Sequence, residues 1–250
     1  MTGETIRFSR LAEAHSAPLL AMSWWIALSP FHGHVILLWA VLIAGIYQKK
    51  MKNASIAAGS AVAAKEYFAS LQDVLAHLDF SVIDRMTDVV WENYGGDRAL
   101  YIFGNGGSAA LASHFACDIG KGTVAAGRKR LRTVALTVNV PLITAFANDL
   151  AYADIFSEQL VGLAEKGDTV LAISGSGNSP NVVRGLEEAR KLELRTLVLT
   201  GFEGGRVKSL ADLCLIVPTD NMQHIEDAHL CATHAIFRAI RHRMTQANAE

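Results

Sequence analysis

Ala99-Leu-Tyr-Ile-Phe103 is a five-residue apolar run that passes directly into Gly104-Asn105-Gly106-Gly107-Ser108, after which helical spacing begins at Ala109. A run this short, flanked by glycines, reads as a strand buried on both faces of a parallel sheet rather than as a helix. Four similar runs follow, at Arg132–Leu136, Thr169–Ile173, Thr196–Leu199 and Leu213–Val217. Segments with helical spacing, such as Val182–Leu192, separate them, and this alternation predicts a doubly wound parallel α/β sheet. Upstream, Gly95-Gly96-Asp97 closes a stretch from Val62 to Asn93 whose apolar residues recur at helical intervals and predict two helices. Downstream, Met222–Arg243 predicts a long closing helix. Its apolar positions Ile225, Ala228, Leu230, Ala232, Ile236, Phe237 and Ile240 are expected on one broad face. There is no internal repeat or low-complexity tract.

The chain has 250 residues, enough for one catalytic α/β domain and an extension. Its 23 basic and 24 acidic residues nearly cancel, so bulk charge offers no attraction to nucleic acid or to an anionic membrane. Cys117, Cys214 and Cys231 lack CxxC spacing, which argues against a disulfide framework or a zinc ribbon and for a reducing compartment. Pro18–Tyr47 contains no Lys, Arg, Asp or Glu. Its cleanest part, Val35–Tyr47, is about 20 Å long as a helix, short of a bilayer core of roughly 30 Å. Extending it backward takes in Ser29-Pro30, His32, Gly33 and His34, at a cost in lipid. Lys49, Lys50 and Lys52 would hold the following domain on the cytoplasmic side. Residues 1–50 are therefore read as an apolar N-terminal extension, with three explanations: an upstream start chosen in error before Met51, a membrane anchor, or a cytosolic segment. The domain proper is expected over residues 62–245 and is expected to be cytoplasmic, held to the inner face of the membrane only if residues 18–47 insert.

Two strand-end loops carry the chemistry. Glycines in the first let a backbone approach a ligand, and the N–H groups opening the next helix form an anion site. The second, Ser174-Gly175-Ser176-Gly177-Asn178-Ser179-Pro180, offers three hydroxyls at another helix start, as a phosphate monoester requires. Ligands bind at the carboxyl edge of open α/β sheets, so two such loops in one sheet strengthen each other. Neither has the GxxxxGK[ST] pattern, and the first lacks full GxGxxG spacing, which removes nucleoside triphosphates and dinucleotides.

His114 and Asp118 lie four residues apart on one helix face, and Glu226 and His234 lie eight apart on another. Two imidazoles and two carboxylates suit a divalent ion such as zinc. They also suit aldose–ketose isomerisation, in which a carboxylate removes the proton alpha to a carbonyl while a protonated group or cation stabilises the enediolate. Spacing alone does not separate these roles.

GNGGSAALASHFACD (104–118), FANDLAYADIFSEQL (146–160), ISGSGNSPNVV (173–183) and IEDAHLCATH (225–234), in this order, resemble the phosphoheptose isomerases of the sugar isomerase (SIS) fold, from about Val62 to Ile240. The resemblance implies a five-stranded parallel sheet flanked by helices, and a homotetramer with active sites shared between subunits, in which the two leading helices serve assembly. It places substrate-binding positions at Asn105, Gly106, Gly107, Asn148, Asp149, Ser174, Gly175, Ser176 and Ser179, with Ser108 a further phosphate candidate. It places a zinc ion on His114, Asp118, Glu226 and His234, with Asp118 also the base and His234 the acid; Glu226 would also face substrate. Two residues depart from the family pattern: Asp118 stands where glutamate is usual, about 1.5 Å shorter in reach, and Glu226 stands where glutamine is usual. The implied reaction converts sedoheptulose 7-phosphate to D-glycero-D-manno-heptose 7-phosphate, which supplies heptose for lipopolysaccharide. The alternatives are a non-catalytic SIS protein of the replication initiator-associating type, in which the closing-helix histidine is typically lost, and an enzyme acting on another sugar phosphate. The presence of His234 favours an enzyme.

Overall fold

In the computed structural model, which describes residues 63–246, the two leading helices are α1 (63–76) and α2 (Phe80–Gly95). The compact unit carrying the sheet begins at Phe68. Asp79 caps α2 by accepting from Ser81 N–H and Val82 N–H, and the helix stops at Gly95-Gly96, as the glycine pair predicts. Strands and helices then alternate: β1 (Ala99–Gly104), α3 (Gly107–Gly122), β2 (Arg132–Ala135), α4 (Val140–Asp149), α5 (Ser157–Leu163), β3 (Thr169–Ser174), α6 (Pro180–Lys191), β4 (Arg195–Thr200), β5 (Leu213–Ile216) and α7 (Met222–Gln246). Every apolar run expected to be a strand is one. The segment 18–47 lies outside the described residues, and no helix among those described is long and apolar enough to cross a membrane. All three cysteines are free thiols.

The five strands are parallel in the order β2-β1-β3-β4-β5. Successive side chains of a strand point to opposite faces, and both faces are covered, so every residue of β1 and of β3 is buried. Leu100, Ile102, Leu171, Ile173, Leu197 and Leu199 face a core shared with Met86 of α2, Phe115 and Ile119 of α3, and Ile236 and Ile240 of α7. Tyr101, Phe103, Val170, Ala172 and Val198 face the other core, with Phe156, Leu160 of α5 and Val182, Leu186 of α6.

Helices α3 and α7 therefore lie on the same side of the sheet. They meet at a notch: a Cβ on Gly122 would come within 2.4 Å of the Phe237 ring, so Phe237 of α7 occupies the space that a side chain on α3 would fill. One expectation for α7 fails. Leu230 is exposed instead of sharing the buried face, because Ile225, Ala228, Ala232, Ile236 and Ile240 already fill the helix stripe against the sheet.

Candidate active site

The order β2-β1-β3 makes the chain leave β1 for one edge of the sheet and leave β3 for the other, so the crevice between their carboxyl ends is a topological switch point. Both glycine-rich loops open there, since Gly104 pairs with Ile173 at the last rung between the two strands. The first loop turns at Gly106 and enters α3 at Gly107. The second turns at Gly177, where φ is +67° and an added Cβ would lie 2.2 Å from the Gly204 carbonyl, so only glycine fits. Asn178 holds this loop, donating to the Ser176 carbonyl at 2.9 Å and accepting from Arg206 N–H at 3.1 Å. Ser179 is the N-cap residue of α6, yet its side chain makes no capping hydrogen bond. Its hydroxyl is therefore not spent on its own helix.

His114 and Asp118 sit one turn apart on α3, and His234 reaches them from α7. The His114 and His234 Nε2 atoms are 2.9 Å apart, and Asp118 Oδ2 lies 3.3 Å from the first and 3.6 Å from the second. One ligand atom from each lies within 4.8 Å of the others. Two imidazole nitrogens and a carboxylate oxygen converging this closely, each half-exposed or partly exposed, fit a divalent cation. The donor set is thus compatible with zinc.

Glu226 is not in that cluster. Its carboxylate lies over Gly107, where an added Cβ would be 2.8 Å from Oε1. The reason is geometric: the eight residues from Glu226 to His234 span about 12 Å of helix. Sharing a helix face therefore does not place the two at one point. Between α3 and α7 runs a cleft of about 350 Å³, lined by Gly107, Ser108, Ala110, Leu111, His114, Glu226, Asp227, His229 and Leu230.

His229, on the same closing helix, is fully buried and separate from the cation cluster. Its Nε2 lies 3.1 Å from the Thr200 carbonyl, which can only accept, so Nε2 carries the proton. Burial pushes its pKa down to about 4, against a smaller upward pull from that hydrogen bond. Nδ1 has no partner. Asn148 and Asp149, at the end of α4, are exposed and bonded to each other at 2.7 Å, and neither lines the cleft. Two residues went unnoticed in the sequence reading. Asn181 and Tyr152 both hydrogen-bond to Asn105, and only the fold brings them near it. The ISGSGNSPNVV stretch contained Asn181, but nothing in its spacing marked it out.

The SIS domain family matches residues 66–201. A phosphoheptose isomerase of Helicobacter pylori is 39% identical over 157 residues, covering 63% of this chain and 80% of that one. The chain belongs to the phosphoheptose isomerase family of SIS-domain proteins. The structure of a phosphoheptose isomerase from Francisella tularensis superposes with a TM-score of 0.69 at 29% identity, over 73% of this chain and 98% of that one. That from Neisseria gonorrhoeae gives 0.66 at 28%, over 71% and 96%. Within this phosphoheptose isomerase fold, the cation cluster and the Gly107–Glu226 contact both lie where α3 meets α7, and the serine-rich loop opens α6 on the other side of β1.

Proposed function

We propose that this protein isomerises sedoheptulose 7-phosphate to D-glycero-D-manno-heptose 7-phosphate in the cytoplasm, as a step toward the heptose of lipopolysaccharide. The observation that carries the reading is the convergence of His114, Asp118 and His234 beside a cleft that opens at a helix start. The phosphate goes to the loop Ser174, Gly175, Ser176 and Ser179, whose hydroxyls and N–H groups suit its oxygens. Asn105, Gly106, Gly107, Ser108, Asn148, Asp149 and Glu226 hold the sugar, with the Glu226 carboxylate accepting from hydroxyls. Asp118 takes the proton from C1, and protonated His234 delivers one to the C2 oxygen, so an enediol forms. Asp118 then returns its proton to C2 while His234 recovers one from the C1 oxygen, which leaves an aldehyde at C1. A divalent cation, zinc in this reading, would be held by His114, Asp118 and His234 and would supply positive charge against the developing oxyanion.

Two further features support the reading. No lysine or arginine is among the described residues lining the cleft, so a dianionic substrate gains from a bound cation. Helix α4 is apolar yet buries none of its residues, and Val138, Val140, Leu150 and Tyr152 around it are exposed, which suits assembly into a homotetramer. The catalytic domain of this reading is residues 62–245. The test is turnover of sedoheptulose 7-phosphate with added zinc and with a chelator. Product formation lost with chelator and restored by zinc is the expected result. A stable oligomer without turnover on this sugar or related phosphosugars would instead favour a partner-binding SIS protein.

A further inference from the structure

Asn105 opens the first loop, and the identity of the group it offers a ligand depends on which way its amide is turned. The two ends of an amide have nearly the same shape, so its orientation must be fixed by neighbours of known polarity. The backbone supplies one. Val182 N–H can only donate, so the Asn181 atom 3.0 Å from it is Oδ1. That oxygen also accepts from Asn105 Nδ2 at 2.8 Å, and in return Asn181 Nδ2 donates to Asn105 Oδ1 at 2.8 Å. The two amides thus form a closed pair, and Asn181 is only 1% exposed. A third group, the Tyr152 hydroxyl, donates to Asn105 Oδ1 at 3.3 Å. The oxygen of Asn105 has two donors and one of its N–H bonds is used. What it has left is a single N–H.

We propose that Asn181 is a positioning residue of the isomerase: it locks the Asn105 amide so that the first loop presents a hydrogen-bond donor to a sugar-phosphate oxygen. The proposal rests on the reading of Asn105 as a substrate-binding residue and deepens it. Asn181 lies in the first turn of α6, directly after the serine-rich loop, whereas Asn105 follows β1. The pair therefore spans the switch point and ties the two loops together, and Tyr152 ties in the segment after Asn148 and Asp149. A locked N–H selects an oxygen acceptor and excludes a donor at that position. A freely turning amide would offer either and would lose orientational freedom on binding.

The test is a double-variant cycle on the full chain with sedoheptulose 7-phosphate, reading kcat, KM, calorimetric Kd and the urea unfolding midpoint. Asn105→Ala is expected to lower kcat/KM about tenfold, the loss of one substrate hydrogen bond. Asn181→Leu should lower it by a similar factor, chiefly through KM and Kd, and the double variant should be no worse than Asn105→Ala. Additive losses, or normal kinetics in Asn181→Leu beside an impaired Asn105→Ala, would overturn the positioning role while leaving the isomerase reading intact. An unmodified enzyme that neither binds nor converts the sugar would overturn both. If Asn181→Leu does not unfold cooperatively, Tyr152→Phe takes its place in the cycle, since Tyr152 is 58% exposed and the fold does not rest on its hydroxyl. A loss erased in the Asn105→Ala background supports the lock, and an additive one refutes it.

Discussion

His234 leaves 49% of its side chain open to solvent, so its removal takes away chemistry and little packing. His234→Ala is expected to reduce turnover by about 10²- to 10⁴-fold and to leave the urea midpoint almost unmoved; full activity would remove it from the acid role. Asp118→Glu restores the reach usual in the family, and retained or raised kcat is expected if Asp118 is the base. His229 behaves oppositely, since it is buried and neutral. Its folded pKa of about 4 lies below the ordinary 6.5, so the unfolded chain binds a proton that the folded chain refuses. Its contribution to stability is complete above pH 6.5 and is lost as pH falls toward about 4, by at most about 1.4 kcal/mol per pH unit. Urea midpoints from pH 4 to 7 should fall less steeply for His229→Gln, and parallel curves would show that other groups set the acid limb.

Between elements, the cation cluster depends on how α3 and α7 are registered. Gly122 lies one turn beyond Asp118, and Phe237 lies one turn beyond His234, so the notch they form is one turn from both of those residues. Gly122→Ala puts a Cβ where the Phe237 ring lies, and if that ring holds the register, one helix shifts along the other. Zinc affinity should fall by about tenfold or more, as for other changes to groups that orient ligands, measured by chelator competition. Unchanged affinity would mean that packing elsewhere sets the register. This notch also shows where sequence reading stops. The helical spacing of His114 and Asp118 was legible because it is local, but nothing in the chain announced that Gly122 receives Phe237 across more than a hundred residues.

For the whole molecule, a cation bound only by the folded state adds stability by mass action. Zinc at about a hundred times its dissociation constant should contribute about 2.7 kcal/mol, a rise in Tm of roughly 5–10 °C. A thermal scan with and without zinc, repeated on a His114→Ala, His234→Ala double variant, checks this. The shift should vanish in the variant, and a shift that persists would place the cation elsewhere.

Sequence alone determined the strands, the leading and closing helices, the helices after the two loops, and the loops themselves, because burial on both faces of a parallel sheet leaves continuous apolar runs and tight strand-to-helix turns favour glycine. It also named His114, Asp118 and His234, together with Glu226, as candidate cation holders, because all four carry ligand chemistry in their side chains. The tertiary structure decided the rest: that Glu226 turns to the start of α3, that His229 is sealed against β4, and that Asn181 and Tyr152 close on Asn105. Each of these depends on which elements become neighbours across the sheet, and a pattern of local spacing contains no record of that.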